Sequence, residues 1–187
     1  MKSAYIERSS GANGAQRPNS GAWALNYDLE GVDRIVVGMG PGSFAGVRSA
    51  IAFAQGCALG RKGLEVYGLP SPCAALAEFL KRNHDCEGKK ITIIGDARQG
   101  KYWVARFEGY KLKGKVEVED EVEAEGAEVV ITTDDTRIGE KLKGWFGERY
   151  HGGIEATDEG LEIYALKCPE MLIKEPLPLY LNPAVRN

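Results

Sequence analysis

Histidine and cysteine are scarce. There are two histidines, His84 and His151, and four scattered cysteines, Cys57, Cys73, Cys86 and Cys168, with no C-x-x-C pair among them. A structural zinc site needs several soft ligands converging at short spacings, so the sequence points to no metal site. Cys57 lies within an apolar helical pattern and Cys73 beside one, which fits small core residues in a reducing compartment. No apolar run approaches the roughly 18 residues that a membrane span needs. The opening "MKSAYIERSSGANGAQ" lacks the apolar core of a secretory signal. The expectation is a cytoplasmic protein with no membrane contact. A basic excess is missing as well. With a formal charge of -3, direct nucleic-acid binding is not expected. What remains is 187 residues, 43% hydrophobic and 27% charged, enough for one domain or two small lobes.

Along the chain, a short apolar segment, "SAYIE", runs into "RSSGANGAQRPNSG", whose Ser, Asn and Gly content favours turns. From Val32 the pattern sharpens. "VDRIVVG" reads as a buried strand and residues 43–59 as a helix. "LEVYGL" reads as a second strand and "SPCAALAEFLKRN" as a second helix, with Ser71 as its N-cap and Pro72 at its first position. This order implies parallel strands carrying helices on their faces. After the polar "NHDCEGKK", three strands are expected in "KITIIGDARQGKYWVARFEGYKLKGKVEVED". A strand in "AEVVITTDD", a short helix in "TRIGEKLKGWFG", a C-terminal helix in "DEGLEIYALKCPEMLI" and an extended, proline-fixed tail, "KEPLPLYLNPAVRN", complete the chain. The acidic run "VEVEDEVEAEGAE" reads as a solvated strand edge and loop.

The stretch "VVGMGPGSFAGVR" poses the functional question. Gly38, Gly40 and Gly42 permit a tight turn that Pro41 stiffens, and Ser43 can cap the helix. Gly40, Gly42 and Ser43 thus make a weak anion-binding candidate at a helix N-terminus. As a nucleotide motif the turn is poor. A P-loop needs a lysine at its end, and none occurs between Arg34 and Lys62; Ser43 stands where a dinucleotide fingerprint needs glycine. The helix is more informative. Phe44, Val47, Ile51, Ala54 and Ala58 follow the spacing of a buried face, and beside them run the small residues Ala45, Ser49, Ala52 and Gly56. A helix apolar or small nearly all round is either enclosed by its own chain or covered by a partner.

These residues closely resemble those of the TsaB (YeaZ) family of bacterial tRNA threonylcarbamoyladenosine biosynthesis proteins. The family pattern Gly-x-Gly-Pro-Gly-Ser-Phe-Thr-Gly-x-Arg is met from Gly38 to Arg48, except for Ala45 in place of threonine. "VYGLPSPCAALAEF", "DARQGKYWVARF" and the ending "PLPLYLNPAV" extend the match, with Asn182 where the family has arginine. Departures lie at the N-terminus: Glu7 and Arg8 replace the usual Asp and Thr, the first hairpin is mostly missing, and the first helix shrinks to something like "NSGAWALNYDL".

The resemblance implies an α/β, two-lobed fold of the actin/hexokinase/Hsp70-like (ASKHA, ribonuclease H-like) superfamily with a reduced N-terminal lobe, divided as 1–88 and 89–187. It implies a non-catalytic subunit that binds and activates a TsaD-like threonylcarbamoyltransferase, with a TsaE-like ATPase joining them. The chain alone would hold no cofactor, ATP and Mg being used by the complex, and tRNA would be reached only indirectly. A homodimer is expected when the partner is absent. Phe44, Val47, Arg48, Ile51, Ala52 and Gln55 are the expected partner-binding residues. The alternative is a reduced ASKHA-superfamily nucleotide-binding enzyme acting on phosphate or acyl groups, with Asp96 and Arg98 as its best candidates, although both residues also suit a turn-shaping role.

Overall fold

A computed structural model of the chain describes residues 2–9, 28–124 and 126–181. In chain order the strands are β1 (Ser3–Ile6), β2 (Arg34–Gly38), β3 (Glu65–Leu69), β4 (Lys90–Arg98), β5 (Lys101–Glu108), β6 (Lys111–Leu112), β7 (Glu117–Glu119), β8 (Val129–Thr132), β9 (Tyr150–His151) and β10 (Ile173–Lys174). The helices are α1 (Phe44–Gly60), α2 (Ser71–Arg82), α3 (Asp135–Phe146) and α4 (Asp158–Lys167). The shortened first helix expected over 19–29 falls, but for Asp28 and Leu29, outside the described residues, as does Asn182.

Two sheets form. The first runs β1-β2-β3-β10, parallel through β3 and closed by the antiparallel β10. The second runs β6-β5-β4-β8-β9, with β7 also pairing with β5; β4 is antiparallel to β5 and parallel to β8. Strand β2, "RIVVG", is apolar and buried from Ile35 to Gly38. Ile35 and Val37 face a cluster with Val47, Ala50, Ile51 and Ala54 of α1, while Val36 faces the opposite way into the main core. A strand covered on both faces cannot alternate polar and apolar residues.

The main core lies between the sheets. It takes Val36 and Leu69 from the first, Ile91, Ile93, Trp103 and Phe107 from the second, and the facing sides of α2 and α4 between them. Every residue of α2 from Ser71 to Leu80 is buried. On the far side of the second sheet, Ile138 and Leu142 of α3 pack on Ile94, Val104 and Val130. The layers are therefore α1, first sheet, α2 with α4, second sheet, α3: a mixed α/β, two-sheet fold.

Three local readings change. Ser71 is the first residue of α2 rather than its cap; Pro70 holds the cap position, and the Ser71 hydroxyl instead accepts a hydrogen bond from the Gly40 N–H at 3.0 Å. The C-terminal helix stops at Lys167, where Cys168 and Pro169 begin a 3-10 turn, because proline cannot donate to the helix ladder. The acidic run is partly paired: Glu117–Glu119 forms β7, and Glu119 holds Arg106 through two bonds at 2.7 and 3.0 Å.

Burial separates the helices sharply. Leu76 of α2 is fully enclosed, whereas Leu59 of α1 is 92% exposed. Truncating Leu76 to alanine is expected to cost about 2–5 kcal/mol of unfolding free energy. The same change at Leu59 should stay within about 0.5 kcal/mol. Urea midpoints with unchanged slopes measure both; equal losses would contradict this layering.

Candidate functional site

The glycine-rich turn joins β2 to α1, and its shape is set by what fills it. Gly42 adopts a φ of 154° and the Gly40–Pro41 peptide is cis. The Ser43 hydroxyl caps α1 as expected, accepting from the Gly46 N–H at 3.3 Å. The Ser43 N–H points at the chain itself and donates to the Ser9 carbonyl at 2.7 Å. A side chain at Gly42 would land on that carbonyl, and one at Gly38 would land on the Glu7 carboxyl group. The glycines therefore admit the segment that follows β1. An anion at Gly40, Gly42 and Ser43 would meet this segment in the cradle, with an acidic side chain directly behind it.

Glu7 is 3% exposed. Its Oε1 accepts from the Ser9 N–H at 2.7 Å, while Oε2 meets no partner of ordinary hydrogen-bond geometry among the described residues. Burial pushes the Glu7 carboxyl above the usual carboxylate range, and the nearby Asp158 charge adds to this; donors at Ser9 and Ser71 oppose it. Asp158, at the start of α4, accepts from the Glu7 N–H at 2.5 Å and pairs with Arg8 at 3.3 Å. Cys73 of α2 faces the same group, its thiol pushed up to about 12 chiefly by burial. A buried acid that holds its proton more tightly than usual is a poor seat for magnesium and phosphate, which call for ionised oxygen ligands. Among the described residues, no group of three His, Cys, Asp or Glu side chains converges as a metal site.

Asp96 and Arg98 sit at the end of β4, where the pairing with β5 shifts register. The Asp96 carboxylate accepts from the Arg98 N–H at 2.8 Å, closing a turn in which Arg98 and Gln99 both have positive φ. Arg98 and Arg137 lie 3.5 and 3.4 Å from its other oxygen. The Arg98 contacts shape the turn, and Arg137 ties it to α3. On the α3 side, a cavity of about 370 Å³ is lined by Asp135, Glu140, Lys143 and Tyr150, a mixed charge set without a phosphate-binding character.

Helix α1 divides along its length. Val47 and Ile51 are covered by the first sheet and have no surface left for another chain. Phe44, Arg48, Ala52 and Gln55 are exposed, together with Ala45, Ser49, Gly56 and Leu59. Phe44 is 61% exposed. From Arg34 to Leu64 the chain carries no Asp or Glu, only the cations Arg34, Arg48, Arg61 and Lys62. The outward face is thus slim, apolar and locally positive on a chain that is negative as a whole.

The tail was missed as part of this face. After β10 pairs with β3, the Leu179 N–H donates to the Met39 carbonyl at 2.8 Å, and Gln55 of α1 donates to the Pro176 carbonyl at 3.3 Å. The Arg48 Nε donates to the Tyr180 hydroxyl at 2.6 Å. The Arg48 guanidinium carbon lies 4.0 Å from the Phe44 ring centre and 5.3 Å from that of Tyr180. The prolines around Tyr180 announced an extended segment; nothing in the sequence tied it to α1.

The family model described as TsaD, tRNA N6-adenosine threonylcarbamoyltransferase, matches residues 23–130. The chain belongs to this family, as a TsaB/YeaZ member. The tRNA threonylcarbamoyladenosine biosynthesis protein TsaB of Buchnera aphidicola subsp. Baizongia pistaciae (strain Bp) is 38% identical over 91 residues, which take in 47% of this chain and 40% of that relative. YeaZ from Pseudomonas aeruginosa superposes with a TM-score of 0.61 at 22% identity, covering 84% of this chain and 78% of its own. A second structure, of an uncharacterized Pseudomonas aeruginosa protein with similarity to peptidase YeaZ, gives a TM-score of 0.60 over 84% of this chain and 77% of its own. Both share the two-sheet fold. No helix of the described residues is long and apolar enough to cross a membrane.

The buried Glu7 makes a signed prediction. At acid pH, folded and unfolded chains both hold the proton and Glu7 contributes no pH dependence. As pH rises through the ordinary carboxylate range, the unfolded chain releases it while the folded chain retains it, so stability falls. Glu7→Gln should therefore be more stable than the parent at about pH 8, by a few degrees in Tm, with the gap closing towards about pH 4. Thermal melts across that range test it, and a gap that widens in acid would reverse the assignment.

Proposed function

We propose that this chain is a non-catalytic TsaB-like subunit that binds and activates a TsaD-like threonylcarbamoyltransferase during formation of threonylcarbamoyladenosine in tRNA. The observation that carries this reading is α1: one face is fixed to the first sheet, and the other offers Phe44, Arg48, Ala52 and Gln55 on a narrow ridge free of acidic residues. Family membership supports the pathway, and the name of the Buchnera relative supports the role. In this reading the fold is a reduced ASKHA pair of lobes, divided near residue 88. ATP and Mg act in the assembled complex, to which a TsaE-like ATPase is recruited, in the cytoplasm, and tRNA is met through the partner. A homodimer would be the resting state when that partner is absent.

The competing reading, an ASKHA-type enzyme, needs a phosphate seat and a free acid or base. The occupied glycine cradle, the buried Glu7 and the engaged Asp96 all weigh against it. Calorimetry with Mg-ATP separates the two, tight binding with turnover favouring the enzyme.

Gel filtration of the chain with its cognate TsaD-like protein should give a stable complex at micromolar concentration. Ala52→Glu adds bulk and charge at an exposed helix position. It should weaken the complex at least about tenfold, while the melting temperature of the free chain moves by about 2 °C or less. Absence of a complex with the unaltered chain would remove the proposal.

A further inference from the structure

We infer that the C-terminal strap, residues 173–181, forms the second half of the docking surface, and that Tyr180 is the residue that positions Arg48 for a carboxylate on the partner. This rests on the partner-subunit reading above and goes beyond it, because it adds residues outside α1 and states what the partner presents.

Arg48 is held on one side only. Its Nε is bonded to the Tyr180 hydroxyl at 2.6 Å, and its planar head rests against both the Phe44 and Tyr180 rings, which touch each other with centres 6.0 Å apart. Among the described residues, no bond is recorded from its two terminal nitrogens. A guanidinium with its stem and Nε fixed, and its terminal N–H groups turned outward, is preorganised for a two-point bond to a carboxylate, with the entropy of ordering a long side chain already spent. An exposed arginine left to itself would sample many rotamers.

The strap is fastened by backbone as well as by that bond. The pairing of Ile173 and Lys174 with β3, the Glu175 N–H to the Val66 carbonyl at 3.3 Å and the Leu179 N–H to the Met39 carbonyl at 2.8 Å hold it beside α1. Leu177 is 69% exposed and Tyr180 54%, next to Phe44 at 61%. An aromatic and aliphatic frame around a single charge is the composition of an interface hot spot.

Charge decides the occupant. The segment from Arg34 to Leu64 has no acidic residue, and the strap adds one carboxylate, Glu175, beside Lys174, so a second copy pairing through α1 would bring two cationic helices together. A different polypeptide whose apolar face carries an aspartate or glutamate satisfies Arg48 instead.

The test titrates the full-length chain into the cognate catalytic subunit by calorimetry at low and high salt. Tyr180→Phe keeps the ring and removes only the hydroxyl; it should weaken binding about fivefold. Arg48→Gln should weaken it about thirtyfold or more and flatten the salt dependence, since the charge pair is gone. The double variant should bind within about twofold of Arg48→Gln alone, because Tyr180 acts through Arg48. Leu177→Ser, which leaves Arg48 untouched, should also weaken binding but keep the salt slope. Binding by the unaltered chain together with an unchanged Tyr180→Phe, an additive double variant or an unaltered slope in Arg48→Gln overturns this inference and leaves the partner-subunit reading standing. No binding by the unaltered chain overturns that reading itself. Self-association in sedimentation that Arg48→Gln strengthens fits the charge argument; self-association that it abolishes assigns the surface to a second copy and defeats the proposal.

Discussion

Helix α2 has no solvent face from Ser71 to Leu80, because both sheets claim it, and that sharing dictates where the other helices can go. Two sheets stacked directly would leave their outer faces to be covered separately. Placing α2 and α4 between them lets one pair of helices bury the inner face of each. The outer faces then fall to α1 and α3, and each of those meets a single sheet. A helix against one sheet buries only about half its circumference, so its other half must be polar or must be covered by something else. Helix α3 takes the first course, with Lys, Glu and Asp outward. Helix α1 does not, and its apolar outward face is therefore a consequence of layering that the sequence leaves uncorrected.

The same economy explains the glycine turn. A run of glycines before a helix presents the same sequence whether a phosphate or a peptide backbone approaches, because both need the missing side chains. What distinguishes them is the occupant. Here the carbonyl of Ser9 and the carboxyl of Glu7 take the space, and the N–H of Ser43 is spent on the chain itself. Burying Glu7 beside Asp158 is costly; it raises the affinity of the carboxyl for its proton, and only Oε1 is compensated, by the Ser9 N–H. Such a site ties β1 to α2 and α4 at one point.

How much of this was legible depended on the range of the forces involved. Local patterns were readable: the strand in "RIVVG", the helix capped by Ser43 and the strand-to-turn change at "DARQG" each follow from side-chain shape and backbone chemistry within a few residues, whereas the expected C-terminal helix ran past the break at Pro169. Ser71 was misread as a cap because the hydroxyl has a better donor, the Gly40 N–H, 31 residues away. On α1 the helical period correctly marked Val47 and Ile51 as apolar, but period alone cannot tell the face that its own sheet takes from the face it leaves. Glu7 inside the core and Tyr180 against Arg48 join residues 151 and 132 positions apart, through Asp158 and α1 respectively, and no local signal carries such distances.

The strap changes what α1 can be. Without it, the helix offers a stripe of small residues and a mobile cation, and a stripe of that kind fits many neighbours equally well. With Tyr180 bonded to Arg48 and Leu177 beside Phe44, the surface gains a fixed charge inside an apolar frame. A fixed charge discriminates, since a neighbour lacking the matching carboxylate must leave a desolvated guanidinium unpaired. Shape from α1 and sign from Arg48 are then supplied by two parts of the chain that meet only after folding. In the proposed docking face the strap after β10 counts as much as α1, and a partner binding there would read the completed fold rather than a single helix.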